Sequence, residues 1–186
     1  QVTQSFYGIW DKAQASLSTF GRSSLLQQSI VREVSQSNFD LRETTANTID
    51  WTSHLGWYID LINIEGSNTD NYGERQVSNS VVRNGRIIFT TLLPSDDPCE
   101  FGGSGWLMEL DLYSGARLSF SPFDLNNDGL FNTDDYIHID TNNNGIVDPG
   151  ETFIPASGKK SKVGIISTPS IIDSADGQTE YKYTSG

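Results

Sequence analysis

The sequence lacks the features that several common classes of protein require. The 186-residue chain has one cysteine and two histidines. It has no apolar run near the roughly eighteen residues of a membrane span, so we expect no span in this segment. The single Cys99 provides no disulfide framework, and in a secreted chain an odd cysteine indicates a partner elsewhere or a free thiol.

Positive charge is also scarce. Twelve basic residues stand against 24 acidic ones, for a formal charge of −12. Binding to nucleic-acid phosphates needs a basic patch, so we expect no nucleic-acid partner. The chain begins at Gln1 without an initiator methionine or a signal-peptide pattern. We therefore expect a mature or excised piece of a longer protein.

The acidic residues are concentrated in one stretch. Seven of them lie between Asp124 and Glu151, where there is no lysine or arginine. Such crowding is costly without cations, and millimolar extracellular calcium fills even weak sites. The stretch therefore predicts an extracellular location.

Two consecutive twelve-residue segments in this stretch match the spacing of calcium loops. Such a loop supplies oxygen ligands from positions 1, 3, 5, 7, 9 and 12, and a glycine at position 6 makes its sharp turn. Gly129 and Gly145 occupy that position. The predicted ligands of the first loop are Asp124, Asn126, Asp128, the carbonyl of Leu130, Asn132 and Asp135. Those of the second loop are Asp140, Asn142, Asn144, the carbonyl of Ile146, Asp148 and Glu151. We expect one or two Ca²⁺ ions.

The spacing between the loops differs from that of a paired EF-hand. Only four residues, Tyr136 to Ile139, separate Asp135 from Asp140, which leaves room for one turn and not for a helix pair. A short turn near Asn132 and a capped turn from Asp148 to Glu151 are predicted. We expect a structural calcium-binding insertion over residues 121–155. Its predicted anchors are Phe131, Tyr136, Ile137 and Ile139.

The remainder of the chain reads as β structure. Asn84 and Gly85 between two apolar runs predict a type I′ hairpin. Trp106 to Leu112 alternates as a strand with one apolar face. Ser114 and Gly115 are expected to turn the chain into Arg117 to Phe120, which gives a second hairpin. Leu25 to Val34 fits a strand or a helix, and we favour the strand. Two polar stretches, 35–47 and 66–74, are predicted as loops.

A weak repeat indicates the architecture. Ser78 to Val82 is echoed by Thr168 to Ile172, each opening a strand, a turn and a second strand. Without the insertion, the period approaches that of a β-propeller blade. We predict an all-β fold, part of a β-propeller that carries an EF-hand-like insertion. A small antiparallel sandwich is the alternative.

No catalytic constellation is visible, and we expect a protein that is not an enzyme. His54 and His138 lack partners at ligand spacing and are interpreted as surface or half-buried residues. Ser104 lies between two glycines but lacks the pattern of a nucleophile elbow. No catalytic or organic-cofactor residue is predicted.

The block from Cys99 to Asp111 resembles the C-terminal propeller of the PilY/PilC-type tip adhesins and biogenesis factors of type IV pili. Thr90 to Pro98, Tyr7 to Asp11, Gly56 to Leu61 and Val81 to Arg86 support the resemblance, and residues 16–47 match least. The resemblance implies a quinoprotein-like propeller over residues 1–186, outside the cell at the pilus tip or outer membrane. It implies roles in pilus assembly, twitching motility and attachment to host or abiotic surfaces.

The implied partners are minor pilins, the pilus tip and the remainder of the propeller chain. In such proteins calcium tunes pilus extension against retraction, and only Asp124 to Asp135 match a loop of that type. The integrin-binding Arg-Gly-Asp motif and the von Willebrand A metal motif are not found in this sequence. A quinoprotein dehydrogenase and a dockerin-like assembly module are the rival interpretations.

Overall fold

A computed structural model describes residues 2–13, 21–65, 68–95, 102–142, 144–148, 150–175, 177 and 179–185. Short strands make up the regular structure of these residues, together with two 3₁₀ turns at Arg22–Ser24 and Thr133–Asp135. The strands are β1 (Gln4–Ile9), β2 (Leu26–Gln28), β3 (Ile30–Gln36), β4 (Phe39–Thr44), β5 (Gly56–Leu61), β6 (Asn63–Glu65), β7 (Asn68–Asp70), β8 (Val81–Arg83), β9 (Arg86–Thr90), β10 (Trp106–Asp111), β11 (Tyr136–Ile139), β12 (Thr152–Pro155), β13 (Gly158–Lys160), β14 (Ser170–Asp173) and β15 (Glu180–Tyr183).

The largest sheet has six antiparallel strands in the order β3-β4-β13-β10-β9-β8. A three-stranded sheet has β5 at its centre, paired antiparallel with β1 and parallel with β2. Three two-stranded sheets complete the described structure: β6–β7, β11–β12 and β14–β15. The all-β prediction is confirmed.

One apolar core lies between the two larger sheets, because their alternating apolar residues face each other. Trp57, Ile59 and Leu61 of β5 belong to the same buried cluster as Met108 and Leu110 of β10. A second buried cluster consists of Leu41, Phe123, Leu125, Ile137 and Ala156, with Leu107 packed against it. Strand β10 therefore contributes to both clusters, which fixes its register.

Several local predictions are confirmed. Asn84 and Gly85 have φ of 48° and 75°, as a type I′ turn requires, and they join β8 to β9. The favoured strand over Leu25 to Val34 is present as β2 and β3. Trp106, Met108 and Leu110 are buried in the first cluster.

The predicted loop over residues 35–47 is wrong, because β4 runs through it. The stretch looked polar, but Leu41 is fully buried and Arg42 finds its ionic partners in the interior. The predicted loop over 66–74 is also partly wrong, since Asn68–Asp70 pairs with β6. Gly66 and Ser67 lie outside the described residues.

The second hairpin, expected over Arg117 to Phe120, does not form. The carboxylate of Asp111 accepts hydrogen bonds from the backbone N–H groups of Tyr113 and Ser114, at 3.0 and 2.7 Å. Asp111 thereby ends β10 in a turn. The N–H of Arg117 then donates to the carbonyl of Thr45 at 3.0 Å, so the chain leaves β10 and runs towards the end of β4.

Tyr136 to Ile139 forms strand β11 and not the single turn that was predicted. Its backbone pairs with β12, from Tyr136 opposite Pro155 to Ile139 opposite Thr152. The described residues show neither a closed ring of propeller blades nor the flanking helices of an EF-hand.

Candidate metal centre

Strand β11 holds the two acidic loops at its two ends. The first loop enters β11 through the 3₁₀ turn Thr133–Asp135, and the second loop joins β11 to β12. Ile137 is fully buried in the second core cluster and anchors β11. Of the other predicted anchors, Ile139 packs against this cluster, whereas Phe131 is 39% exposed and does not anchor the insertion as predicted.

The first loop is folded by its own acidic and amide side chains. Asp124 Oδ2 accepts a hydrogen bond from the N–H of Gly129 at 3.0 Å. Asn126 Oδ1 accepts from Asp128 at 3.0 Å, and Asp128 Oδ1 accepts from Leu130 at 2.7 Å. Gly129 has a φ of 77°, which supplies the sharp turn expected at position 6.

Asp135 closes the first loop. Its Oδ1 accepts a hydrogen bond from the N–H of Leu125 at 2.7 Å, and its Oδ2 accepts from the N–H of Asn132 at 3.1 Å. The side chain of Asn132 in turn accepts from the N–H of Asp134 at 2.7 Å and caps the 3₁₀ turn. The turn predicted near Asn132 is therefore confirmed, and it buries Asp135 completely.

The second loop repeats this pattern. Asp140 Oδ2 accepts from the N–H of Gly145 at 2.7 Å, as Asp124 does from Gly129. Asn142 accepts from Asn144 at 2.9 Å, and Asn144 accepts from Ile146 at 2.8 Å. Asn143 and Pro149 lie outside the described residues.

Glu151 takes the closing role of Asp135 in this loop. It accepts from the N–H groups of Asp148 and Thr141, each at 2.8 Å, and from that of Asn142 at 3.2 Å. The hydrogen bond from Asp148 and those from Thr141 and Asn142 lower the pKa of Glu151. Glu151 thus makes the hydrogen bond to the N–H of Asp148 that the predicted capped turn requires. The lowered pKa favours the charged form of its carboxylate.

One buried atom fits a cation in the first loop. Asp124 Oδ1 is buried and has no hydrogen-bond partner among the described residues. A buried carboxylate oxygen without a partner is costly, and a bound cation removes that cost. The residues present therefore fit a calcium ion. The described part of the chain contains no group of three or more His, Cys, Asp and Glu side chains already gathered around one metal position. Amide and carbonyl oxygens would therefore have to complete any ligand set.

Of the other candidate residues, His138 lies on β11 between the two loops, whereas His54 and Ser104 lie elsewhere in the sequence. His54 is half-buried, and its Nδ1 lies 3.1 Å from both the hydroxyl of Ser53 and the carbonyl of Asp50. His138 is half-buried and packs edge-on against Phe153. Ser104 forms an isolated bridge with Leu93, and Cys99 lies outside the described residues.

The sequence did not predict two buried ionic groups. Arg42 and Glu74 are fully buried and form two hydrogen bonds of 2.8 Å, and Glu33 also pairs with Arg42. Glu109 is fully buried between Arg86 and Lys182, at 2.5 and 2.6 Å. The one available signal was the acidic Glu109 between two buried apolar residues of β10.

Comparison with known proteins places the chain among bacterial pilus proteins. Protein-family models give no match. The type IV pilus biogenesis factor PilY1 of Pseudomonas aeruginosa strain PAO1 is 33% identical over 143 residues, or 68% of this chain. A PilY1 homolog of Xylella fastidiosa is 35% identical over 111 residues, or 59% of the chain.

The chain belongs to the PilY1 family.

A solved structure agrees with this assignment. The crystal structure of the Pseudomonas aeruginosa PilY1 C-terminal domain matches 99% of this chain with a TM-score of 0.76, at 22% identity. This likeness concerns the fold. The matched region is 36% of that structure, and the chain spans 12% of the length of the PAO1 PilY1 protein. The resemblance predicted from the residues is therefore confirmed, and the chain corresponds to a part of PilY1 only.

Among the described residues, no helix has the length and apolar composition needed to cross a membrane. PilY1 itself is a type IV pilus biogenesis factor.

Proposed function

We propose that this chain is a calcium-stabilised part of a type IV pilus biogenesis protein that acts outside the cell, at the pilus tip or the outer membrane. The homology to PilY1 supports the pilus role. The repeated loop geometry around Asp124 and Asp140 supports calcium as the stabilising ion. The single observation that carries the calcium proposal is the buried and unpartnered Oδ1 of Asp124.

The proposed metal ligands are the twelve that the spacing predicts. They are Asp124, Asn126, Asp128, Leu130, Asn132 and Asp135 in the first loop, and Asp140, Asn142, Asn144, Ile146, Asp148 and Glu151 in the second. Bound calcium would neutralise carboxylates that otherwise repel one another. The chain's own part is to preorganise these oxygens, since backbone N–H groups already orient the carboxylates at positions 1 and 12 of each loop.

The role of the metal is proposed to be structural. Residues 121–155 contribute Phe123, Leu125 and Ile137 to the second core cluster, whereas the tips of the loops on either side of β11 are largely exposed. These exposed loop tips bury little apolar surface and need another source of order. Calcium would keep them rigid on the β scaffold, and calcium-dependent control of the pilus would act through the order of the first loop.

The larger architecture and the partners are also proposals. We propose that residues 1–186 form the C-terminal part of a quinoprotein-like β-propeller and pack against the remainder of that propeller. Minor pilins or the pilus tip are the proposed partners, and attachment to host or abiotic surfaces is the proposed adhesive role. We propose that the role is not enzymatic. The dockerin alternative is disfavoured because a strand, β11, joins the loops where dockerin repeats carry helices.

Limited proteolysis with calcium and with chelator tests the calcium proposal. We expect protection of residues 121–155 in calcium and cleavage in chelator. Asp124→Asn should weaken ion binding to the first loop in calorimetry, and Glu151→Gln should weaken binding to the second. Asp134→Asn is the matched control, because Asp134 is exposed and outside the proposed ligand set. Equal protection in calcium and in chelator would refute a stabilising role.

The pilus role is tested separately in the full-length protein. The double variant Asp124→Asn/Asp140→Asn, which leaves the core residues of the insertion in place, should reduce surface piliation and twitching while the protein is still produced. Normal piliation in that variant would contradict a role of the loops in pilus assembly.

A further inference from the structure

The lysines of this acidic chain are concentrated at one groove. Four of the five lysines in the sequence line it: Lys159, Lys160, Lys162 and Lys182. The groove has a volume of about 560 Å³, lies beside the first acidic loop and β15, and is open to solvent. In a chain with a formal charge of −12, this is a local reversal of charge.

Three of these lysines lack the ionic partners that most of the arginines have. Arg22, Arg42 and Arg86 each lie within 4.0 Å of a carboxylate, and Lys182 contacts Glu109 at 2.6 Å. Across the described residues, no carboxylate lies within 4.0 Å of the ammonium groups of Lys159, Lys160 and Lys162. These lysines therefore carry positive charge that no close ion pair neutralises.

Two of the ammonium groups share one aromatic ring. Nζ of Lys159 lies 3.7 Å from the centroid of Phe39, and Nζ of Lys162 lies 4.4 Å from the same centroid. Burial lowers the pKa of Lys159, the charge of Lys162 lowers it further, and Asp124 partly opposes both effects. The face of Phe39 attracts both cations, but each like charge disfavours the other, so a bound anion would stabilise both ammonium groups.

The acidic residues at the groove compensate these charges only in part. Glu180 lines the groove but is engaged by Arg83 and Arg86. Asp124 lines it from the first loop and raises the pKa of Lys159, but it forms no ion pair within 4.0 Å of that lysine. The position beside Lys159 and Lys162 thus has room for a negative charge from outside the chain.

We propose that this groove binds an acidic oligosaccharide whose carboxylates are held by Lys159 and Lys162. The volume is that of a small-molecule site, which commonly lies between about 300 and 1,000 Å³. The lining combines aromatic rings, on which sugar C–H groups pack, with polar side chains such as Ser161 and Thr184. Lysines act as point charges without the fixed fork of arginine, which suits carboxylates spread along a sugar chain.

The site does not require the calcium loops to be filled. If the first loop holds calcium, the ion would neutralise Asp124 at the groove wall and strengthen the binding of the anion. That consequence alone rests on the proposed function. Reciprocity then requires the sugar to strengthen calcium binding by the same factor.

Calorimetric titration of the 186-residue chain with trigalacturonate at low ionic strength tests the proposal. We expect binding that weakens with added salt, because exposed charges are screened. The double variant Lys159→Gln/Lys162→Gln should bind about tenfold more weakly, as loss of two solvent-accessible charge pairs implies. Lys12→Gln is the matched control, since Lys12 lies over Trp10 and outside the groove. This variant should bind trigalacturonate as tightly as the wild type does.

Control experiments distinguish charge-dependent sugar binding from non-specific binding and from misfolding of the variant. Neutral trigalactose should not bind, and amide NMR spectra should show that the double variant is folded. Trigalacturonate binding that persists in chelator would support the site even if the calcium proposal fails. The proposal is overturned by equal binding of the neutral sugar, by an unaffected double variant, or by no binding at millimolar concentration. Binding of a glutamate-rich peptide without binding of the sugar would also overturn it, in favour of an acidic protein partner.

Discussion

The buried carboxylate of Asp135 accepts a 2.7 Å hydrogen bond from the backbone N–H of Leu125, ten residues earlier in the chain. Leu125 is itself buried in the second core cluster. The last acid of the first loop is therefore tied directly to the apolar core. Asp135 has a structural role that does not depend on a bound ion, in addition to its proposed role as a ligand.

The variant Asp135→Asn should destabilise the chain even in chelator. The amide retains one oxygen but directs N–H₂ donors towards backbone donors, so at least one buried hydrogen bond is lost. We expect a loss of about 1–3 kcal/mol in the free energy of unfolding, measured by urea denaturation. Asp134→Asn, at the exposed neighbour, should change it by less than about 0.5 kcal/mol. Equal effects of the two variants would contradict the structural role of Asp135.

The buried pair of Arg42 and Glu74 should be the most sensitive ionic contact. Both side chains are fully buried, and the guanidinium lies 4.0 Å from the ring of Trp106. Glu74→Gln leaves a buried cation with only Glu33 as a charged partner, and burial raises the pKa of Glu33. We expect a loss of about 3–5 kcal/mol in urea denaturation.

The control for that variant is Arg22→Gln. Arg22 pairs with Asp60, but its side chain is 47% exposed. An exposed pair contributes about 1 kcal/mol or less. If Glu74→Gln lowers the free energy of unfolding by no more than Arg22→Gln does, the buried pair does not stabilise the packing of β4.

The docking of the β14–β15 hairpin should depend on pH through Glu180. Burial opposes the effect, but hydrogen bonds from Arg83 and Arg86 lower the pKa of Glu180 below its ordinary 4.5. A lowered folded-state pKa means that the contribution is complete above about 4.5 and is lost as the pH falls through the folded-state value. The difference in unfolding free energy between the wild type and Glu180→Gln should therefore shrink as the pH is lowered below about 4.5.

Denaturation curves at pH values on both sides of 4.5 measure this difference. High salt should reduce the effect, because the pair is partly exposed to solvent. A difference that stays constant across the range would show that the charge of Glu180 does not contribute.

The sequence predicted the elements whose signal is local. Asn84 and Gly85 define their turn by backbone conformation alone, and the loop pattern from Asp124 to Asp135 needs only short-range spacing. The closing roles of Asp135 and Glu151 followed from the same spacing. These features do not depend on what the rest of the chain does.

The failures arose where distant parts of the chain decide the structure. Strand β4 reads as polar, but Leu41 is buried in the core and Arg42 meets Glu74, 32 residues later, in the interior. Strand β11 is a strand because it pairs with β12 across the second loop. The lysine groove could not be predicted from the sequence either, since Phe39 and Lys159 come together only in the folded chain.

Two glycines with similar backbone conformations should respond differently to the same substitution. Gly85 and Gly115 have φ of 75° and 68°. A Cβ at Gly85 meets no atom within 4 Å, whereas a Cβ at Gly115 would lie 2.2 Å from the ring of Trp57. Trp57 is 1% exposed, and its Nε1 donates to the carbonyl of Leu112 at 3.1 Å, so the ring is held in place.

Gly85→Ala should cost about 1–2 kcal/mol for the left-handed conformation alone. Gly115→Ala should cost about 1–3 kcal/mol more, because the overpacked ring must shift in a filled core. Urea denaturation of both variants at one pH measures the loss of unfolding free energy in each. Subtracting the two losses cancels the backbone cost that they share. Equal losses would mean that Trp57 yields to the added methyl group and that this edge of the first core cluster is loosely packed.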